Sequence, residues 1–288
     1  MREHPAHACG VPAEGQVEAN GVRLHYVDWG RKEHPPLVFL HGGSAHARWW
    51  DFVVPHLVDR YRCVALDLRG HGDSSWAASS DYSLAAHAAD VAALIDALAL
   101  TRVGVIGHSF GGFVAMTFAA TARARLSALV IVDSRPRITT RSARFLEALR
   151  KLPQTRYASV EDALRRFQLL PADHSARREL VEHVVRHGLM RTPNGPWTLK
   201  FDRHAMAGNP AQDLSPALAA VDCPVLAVRG EHSSVVSVAA LAEFPAANPG
   251  AVTAEIPGAH HHVMLDRPEA LAGVIGSFLD SVTANGAR

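Results

Sequence analysis

A serine stands between two glycines in the run Gly107-His108-Ser109-Phe110-Gly111. Residues 103–106 before it are apolar and β-prone, and residues 113–121 after it are helix-like. Strand, tight turn and helix form the context in which a serine hydroxyl stands clear of the backbone as a nucleophile. A side chain at Gly107 or Gly111 would crowd the neighbouring strand or helix. The helix N-terminus behind the serine favours developing negative charge. Because a serine hydroxyl is a weak nucleophile at neutral pH, it needs a base, and the base needs an orienting acid. The reaction also needs backbone N–H groups aimed at the oxyanion. Phe110 offers one, at the start of the helix. His260, His261 and His262 are the base candidates, in a loop between a strand at 251–256 and a helix from Pro268. Asp133, directly after the apolar run 129–132, and Glu231, after the run 225–228, are the acid candidates. Three consecutive histidines cannot all converge on one ion, and no Glu or Cys partner lies at useful spacing, so no metal is expected.

These residues need elements to hold them. Residues 17–20 and 22–29 alternate in polarity around Asn20-Gly21, a hairpin signal. Buried strands are expected at 37–40, 63–66, 103–106, 129–132, 225–228 and 251–256, with helices at 47–58, 84–98, 113–121 and 268–282. Alternating strands and helices predict a doubly wound α/β fold with a mostly parallel sheet. The alternation lapses between Arg135 and Leu214. There the sequence offers helix-like segments separated by Pro153, Pro171, Gly188, Pro193, Gly195 and Pro196. The expected organisation is a flexible tail at 1–15, a core made of 16–134 and 215–288, and a helical cap at 135–214 over the sheet's carboxyl edge.

The stretch Gly258-Ala259-His260-His261, followed by apolar residues and by Pro268 seven positions after His261, resembles the histidine loop of the α/β-hydrolase family. That register picks His261 as the base. His41-Gly42-Gly43-Ser44 resembles the His-Gly-Gly loop of lipases and esterases, which implies the Gly43 N–H as the second oxyanion donor, with Ser44 next. The family usually carries its acid in a Gly-x-x-Asp after the strand that ends here at Val228, but this chain has Gly230-Glu231-His232-Ser233, with serine in that place. Some members carry the acid one strand earlier, among them haloalkane dehalogenases, an amide hydrolase of pyridine-ring breakdown and cofactor-free ring-cleaving dioxygenases. That resemblance implies Asp133, in the order Ser109, Asp133, His261. Glu231 stands as the alternative acid, and His262 and then His260 as alternative bases. The serine argues against the halide and epoxide branches, which use an aspartate nucleophile. The resemblance covers the chain outside the tail and the cap, and it implies an eight-stranded type of sheet.

Composition narrows the partners. A net charge of +1 over 288 residues gives no global field for nucleic acid or a membrane surface. Three widely spaced cysteines do not make a disulfide framework, and no apolar run suits a signal peptide or a membrane span, so a cytoplasmic protein is expected. No dinucleotide fingerprint or phosphate loop appears, and no cofactor is implied. A small-molecule substrate and a monomer or homodimer are expected. Between Arg135 and His204 the chain carries 15 Lys/Arg against 7 Asp/Glu. A cap that basic suits a carboxylate-bearing substrate, with Trp197, Arg191, Lys200, His187, His204 and Ser44 as candidate pocket residues. The expected activity is a serine hydrolase acting on an ester, lactone, amide or activated C–C bond. The alternatives are a cofactor-free dioxygenase using only the His–Asp pair, and a non-catalytic receptor on the same fold.

Overall fold

The computed structural model describes residues 11–193, 195–206 and 209–286. The first ten residues of the expected tail, Cys9 among them, lie outside the described residues.

In chain order the elements are β1 Ala13–Ala19, β2 Val22–Trp29, β3 Pro36–Leu40, β4 Arg62–Leu66, α1 Leu84–Ala97, β5 Val103–His108, α2 Phe110–Thr121, β6 Leu126–Val132, β7 Arg137–Ile138, α3 Thr140–Arg150, α4 Val160–Arg166 and α5 Arg178–His187. There follow β8 Leu189–Arg191, β9 Trp197–Leu199, β10 Gln212–Asp213, α6 Ser215–Ala219, β11 Val225–Gly230, α7 Val238–Leu241, α8 Glu243–Ala247, β12 Val252–Ile256, α9 Val263–Asp266 and α10 Pro268–Gly286.

Eight strands form one sheet in the order β1-β2-β4-β3-β5-β6-β11-β12. β1 and β2 run antiparallel, β2 meets β4 antiparallel, and the other pairs are parallel. The central strands β4 and β5 are buried at every residue, as continuous apolar runs in a sheet covered on both faces must be. The β1–β2 hairpin turns at Asn20 (φ 51°) and Gly21 (φ 73°), the two left-handed positions that Asn-Gly tolerates best. β1 starts at Ala13, inside the stretch expected as tail. Gly15 sits under the ring of Tyr26, where a Cβ would come within 2.3 Å of the ring.

Two expectations fail for local reasons. Residues 47–58 do not make one helix but two 3₁₀ turns, Ala47–Trp50 and Val54–His56. Pro55 has no N–H to give to the turn before it, so a continuous α-helix cannot run through. The 135–214 segment is not purely helical. β7 pairs with β10 across the base of the segment, and β8 pairs with β9 in a hairpin. Thr192 closes the turn: its hydroxyl and N–H both donate to the Pro196 carbonyl, and its own carbonyl accepts the Gly195 N–H. Pro193 and Pro196, read as helix breaks, thus mark a hairpin turn. The segment rests on the loops that leave β3 and β4. The Gly72 N–H bonds the Lys200 carbonyl, His46 bonds the Val184 carbonyl, and the Tyr82 hydroxyl bonds Asp202. Among the described residues no helix is long and apolar enough to cross a membrane.

Candidate active site

Ser109 lies between the last residue of β5 and the first of α2, at φ 50° and ψ −114°. A non-glycine residue holds that conformation only where its surroundings fix it. Here the Ser109 N–H bonds the Val132 carbonyl at the end of β6, at 3.0 Å. The flanking glycines permit the turn. A Cβ on Gly107 would lie 2.3 Å from the Gly111 carbonyl oxygen, and one on Gly111 would lie 2.4 Å from that of Leu40.

Asp133 follows β6 at φ 44°, and its N–H bonds the Val228 carbonyl of β11 at 2.7 Å. Its side chain is fully buried (0% exposed) and held by three donors. The Gly230 N–H bonds Oδ2 at 2.8 Å, the Ser233 hydroxyl bonds Oδ1 at 2.6 Å, and His261 Nδ1 lies 2.8 Å from Oδ1. His261 follows β12, on a loop pressed against Gly230, where a Cβ would meet the His260 carbonyl at 2.2 Å. The ring spans the gap between acid and serine, with Nε2 3.1 Å from Ser109 Oγ. A carboxylate on Nδ1 fixes the proton there, so Nε2 carries the lone pair and accepts the serine O–H. Burial pushes His261 down to about 4. Burial pushes the Asp133 carboxyl up to about 6, against the pull of the Ser233 and Gly230 bonds. At pH 7 the pair is therefore a neutral imidazole beside a carboxylate.

The sequence candidates separate by geometry. Glu231, the alternative acid, is half-exposed and accepts from the Gly258 N–H instead. His262 bonds the Pro171 carbonyl through Nε2, and the His260 backbone N–H bonds Asp266. Neither ring is paired with Ser109. The loop after β3 lies against Ser109 on the other side, and a Cβ on Gly42 would stand 3.3 Å from Ser109 Cβ. His41 braces that loop, with Nδ1–H given to the Gly42 carbonyl at 2.7 Å and Nε2 taking the Leu68 N–H at 3.0 Å. Gly43 and Phe110 therefore belong to the two backbone segments that flank the serine hydroxyl.

Beside this site is a small cavity lined in part by Ser44, His46, Trp49, Phe167, Leu199 and Lys200. Its volume of about 10 Å³ is roughly room for one water. Of the candidate pocket residues, Ser44 and Lys200 line this cavity; Trp197, Arg191 and His187 are not among its lining residues. Arg191 is exposed on the β8–β9 hairpin. Trp197 pairs with Tyr157 and packs on its cluster, and His187 bonds the His183 carbonyl one turn back in α5. Both are committed locally. His204 is tied to Asp202. Net charge over the segment could not reveal this, because it says nothing of which face each charge occupies.

Sequence reasoning missed two residues. Ser233 occupies the family's usual acid position and bonds the acid that stands one strand away. Its hydroxyl oxygen also takes the N–H groups of Val235 and Val236, which fixes it in place. His108, read as a packing residue, bonds the His261 carbonyl through Nε2 at 2.9 Å and so holds the loop that carries the base. The signal for Ser233 was its place in the Gly-x-x-Asp pattern; His108 gave none beyond its adjacency to Ser109.

A mostly parallel sheet with a serine, a histidine and an aspartate joined at its carboxyl edge defines a class of α/β enzymes. The chain belongs to the α/β hydrolase fold family, whose model matches residues 35–268, and it is an enzyme of that fold. It is 30% identical over 251 residues to the 2-(acetamidomethylene)succinate hydrolase of Mesorhizobium japonicum, covering 86% of this chain and 88% of the relative. It is 29% identical to an esterase of Mycobacterium tuberculosis, covering 94% of this chain and 90% of the relative. The crystal structure of an E-2-(acetamidomethylene)succinate hydrolase superposes with a TM-score of 0.81 at 28% identity, covering 93% of this chain and 99% of that one.

Proposed function

We propose that the protein is a serine hydrolase of small, uncharged esters, lactones or amides. The bond between Ser109 Oγ and a His261 ring anchored on Asp133 carries this reading. Ser109 Oγ attacks the acyl carbon while its proton passes to His261 Nε2. The N–H groups of Gly43 and Phe110 receive the oxyanion. His261 returns the proton to the leaving alcohol or amine. It then takes a proton from the water that hydrolyses the acyl-enzyme, and Asp133 stabilises the imidazolium at each stage.

One contact supports the uncharged class. Lys200 is the cation among the residues lining the small cavity, and its Nζ lies 2.7 Å from Asp73, so its charge is already matched. The carboxylate-bearing substrate suggested by the segment's charge, and by the name of the Mesorhizobium relative, would need a cation free to meet it. The dioxygenase alternative gives the serine no role in proton transfer, so the Ser109–His261 bond favours hydrolysis. The test compares p-nitrophenyl acetate with a p-nitrophenyl hemisuccinate, on wild type and Ser109→Ala. Hydrolysis of the acetate that is lost in Ser109→Ala is expected, with kcat/KM at least tenfold lower for the hemisuccinate. Turnover of the acetate undiminished in Ser109→Ala refutes the nucleophile. A preference for the hemisuccinate refutes the substrate class.

A further inference from the structure

Beside Ser109 three imidazole rings meet: His108 from β5, and His261 and His262 from the loop after β12. One ring nitrogen of each lies within 4.8 Å of the other two. Ring centroids are 4.8 Å apart for His108 and His261, 5.1 Å for His261 and His262, and 6.3 Å for His108 and His262. The hydrogen bonds fix the tautomers. His108 gives Nε2–H to the His261 carbonyl, and His262 gives Nε2–H to the Pro171 carbonyl. Each therefore carries its lone pair on Nδ1. Both Nδ1 atoms are buried, with no hydrogen-bond partner among the described residues. The third ring follows the same rule, with Nδ1–H given to Asp133 and the lone pair on Nε2.

Two buried acceptors without donors are a costly arrangement. The pattern they complete has a known chemical use. A metal-binding histidine typically gives its other N–H to a carbonyl or carboxylate, which orients the ring and raises its basicity. Here all three rings are tethered in that manner before any ion arrives. Three neutral nitrogen donors suit a borderline divalent cation, zinc above all, which takes imidazole at about 2.0–2.1 Å and often keeps a fourth position for water or another oxygen. Ser109 Oγ stands beside the cluster, 3.1 Å from His261 Nε2. Three adjacent histidines could not converge on one ion, but here the third ring comes from another strand, and His260 has turned away to Asp266.

We infer that His108, His261 and His262 form a site for a divalent transition-metal ion, zinc-like in its ligand preference, whose occupation switches the enzyme off. The ion takes the His261 Nε2 lone pair that would otherwise receive the serine proton. The inhibitory half of this inference rests on the hydrolase reading; the binding half does not.

The test has two arms. Co²⁺ is added to the Ser109→Ala protein, and the visible d–d bands of nitrogen-ligated cobalt are followed with and without His262→Ala. A spectrum saturating at one equivalent, and lost with His262→Ala, is expected. In the second arm p-nitrophenyl acetate hydrolysis is measured against Zn²⁺ for wild type and for His262→Ala alone. Inhibition reversed by EDTA is expected in wild type, and at least tenfold more Zn²⁺ is needed for half-inhibition of the variant. Equal Zn²⁺ sensitivity in the two proteins, or a cobalt spectrum unchanged by His262→Ala, overturns the site. If the wild type hydrolyses no ester, the hydrolase reading fails on its own, and the cobalt spectrum still decides whether the site exists.

Discussion

Mild acid should unfold this protein, because its interior holds neutral histidines that the unfolded chain would protonate. Burial pushes His41 down to about 3, and His46, His71, His261 and His262 to about 4. A histidine whose pKa falls on folding binds fewer protons when folded, so its contribution to stability is lost as pH drops through the unfolded value. With an unfolded pKa of about 6.5, lowering the pH from 7 to 5 costs ~2 kcal/mol for each of the five, or ~9 kcal/mol together. Asp133 opposes this, because a carboxyl raised to about 6 gains a proton in the folded state first, which returns ~1 kcal/mol over the same interval. His25, raised by its contact with Asp67, works in the same opposing direction. The net loss of ~8 kcal/mol is comparable with the whole stability of an ordinary domain, ~5–15 kcal/mol. Urea unfolding followed by tryptophan fluorescence at pH 7, 6, 5.5 and 5, at constant ionic strength, measures it. The expected result is a steep fall below pH 6 and an acid transition between pH 6 and 5. A free energy of unfolding at pH 5 within ~2 kcal/mol of its value at pH 7 would refute the reasoning.

The acid's two possible seats can be exchanged. Asp133→Ala should lower kcat by ~10³–10⁴, and Ser233→Asp added to it should recover at least tenfold, since Ser233 Oγ already lies 2.6 Å from the Asp133 oxygen that holds His261; no recovery would mean that the second seat cannot reach the ring. The rate itself should respond to pH, with kcat/KM falling as one proton enters the His–Asp pair below about pH 6, read from initial rates between pH 5 and 8 over times too short for unfolding. A rate flat across that interval would count against Asp133 as the orienting anion. His87 is buried beside Phe110 with both ring nitrogens unpartnered among the described residues. His87→Leu should raise stability by ~1–3 kcal/mol and lower the acid midpoint, while the same change made at the hydrogen-bonded His46 should destabilise.

What could be read in the sequence was what local stereochemistry or strand order dictates. Asn20-Gly21 could only turn a hairpin, and Gly107 and Gly111 could only flank a sharp elbow. Asp133 was legible because β6 and β11 are neighbours in a parallel sheet, so a carboxylate at the end of one reaches a loop that follows the other. Failures came where chemistry depends on which way a side chain faces. Arg191 and Lys200 look alike as charges in a basic segment, but one is exposed on a hairpin and the other is paired with Asp73. Pro193 and Pro196 break helices and terminate hairpins equally well, and only the Thr192 bonds distinguish the two. His108 was hidden for a similar reason: its partner is a backbone carbonyl 153 positions away.

The expected lability in acid and the proposed reactivity at neutral pH have one cause. A base beside a serine must be unprotonated at pH 7, and burial secures this by taking His261 to 4% exposure. Burial of a single ring would leave its neighbours wet, so the loop that carries it is closed over by His108 and His262, and the loop opposite is braced by His41. His108 and His262 each give Nε2–H to a backbone carbonyl, a bond that survives protonation at Nδ1, whereas His41 accepts the Leu68 N–H and loses that bond when protonated. Protonating these packed rings thus places charge in a buried site, and at His41 it also breaks a brace. Replacing them one at a time with apolar residues would relieve the acid sensitivity but would also free the loops, so stability in acid and turnover should move in opposite directions across such a series.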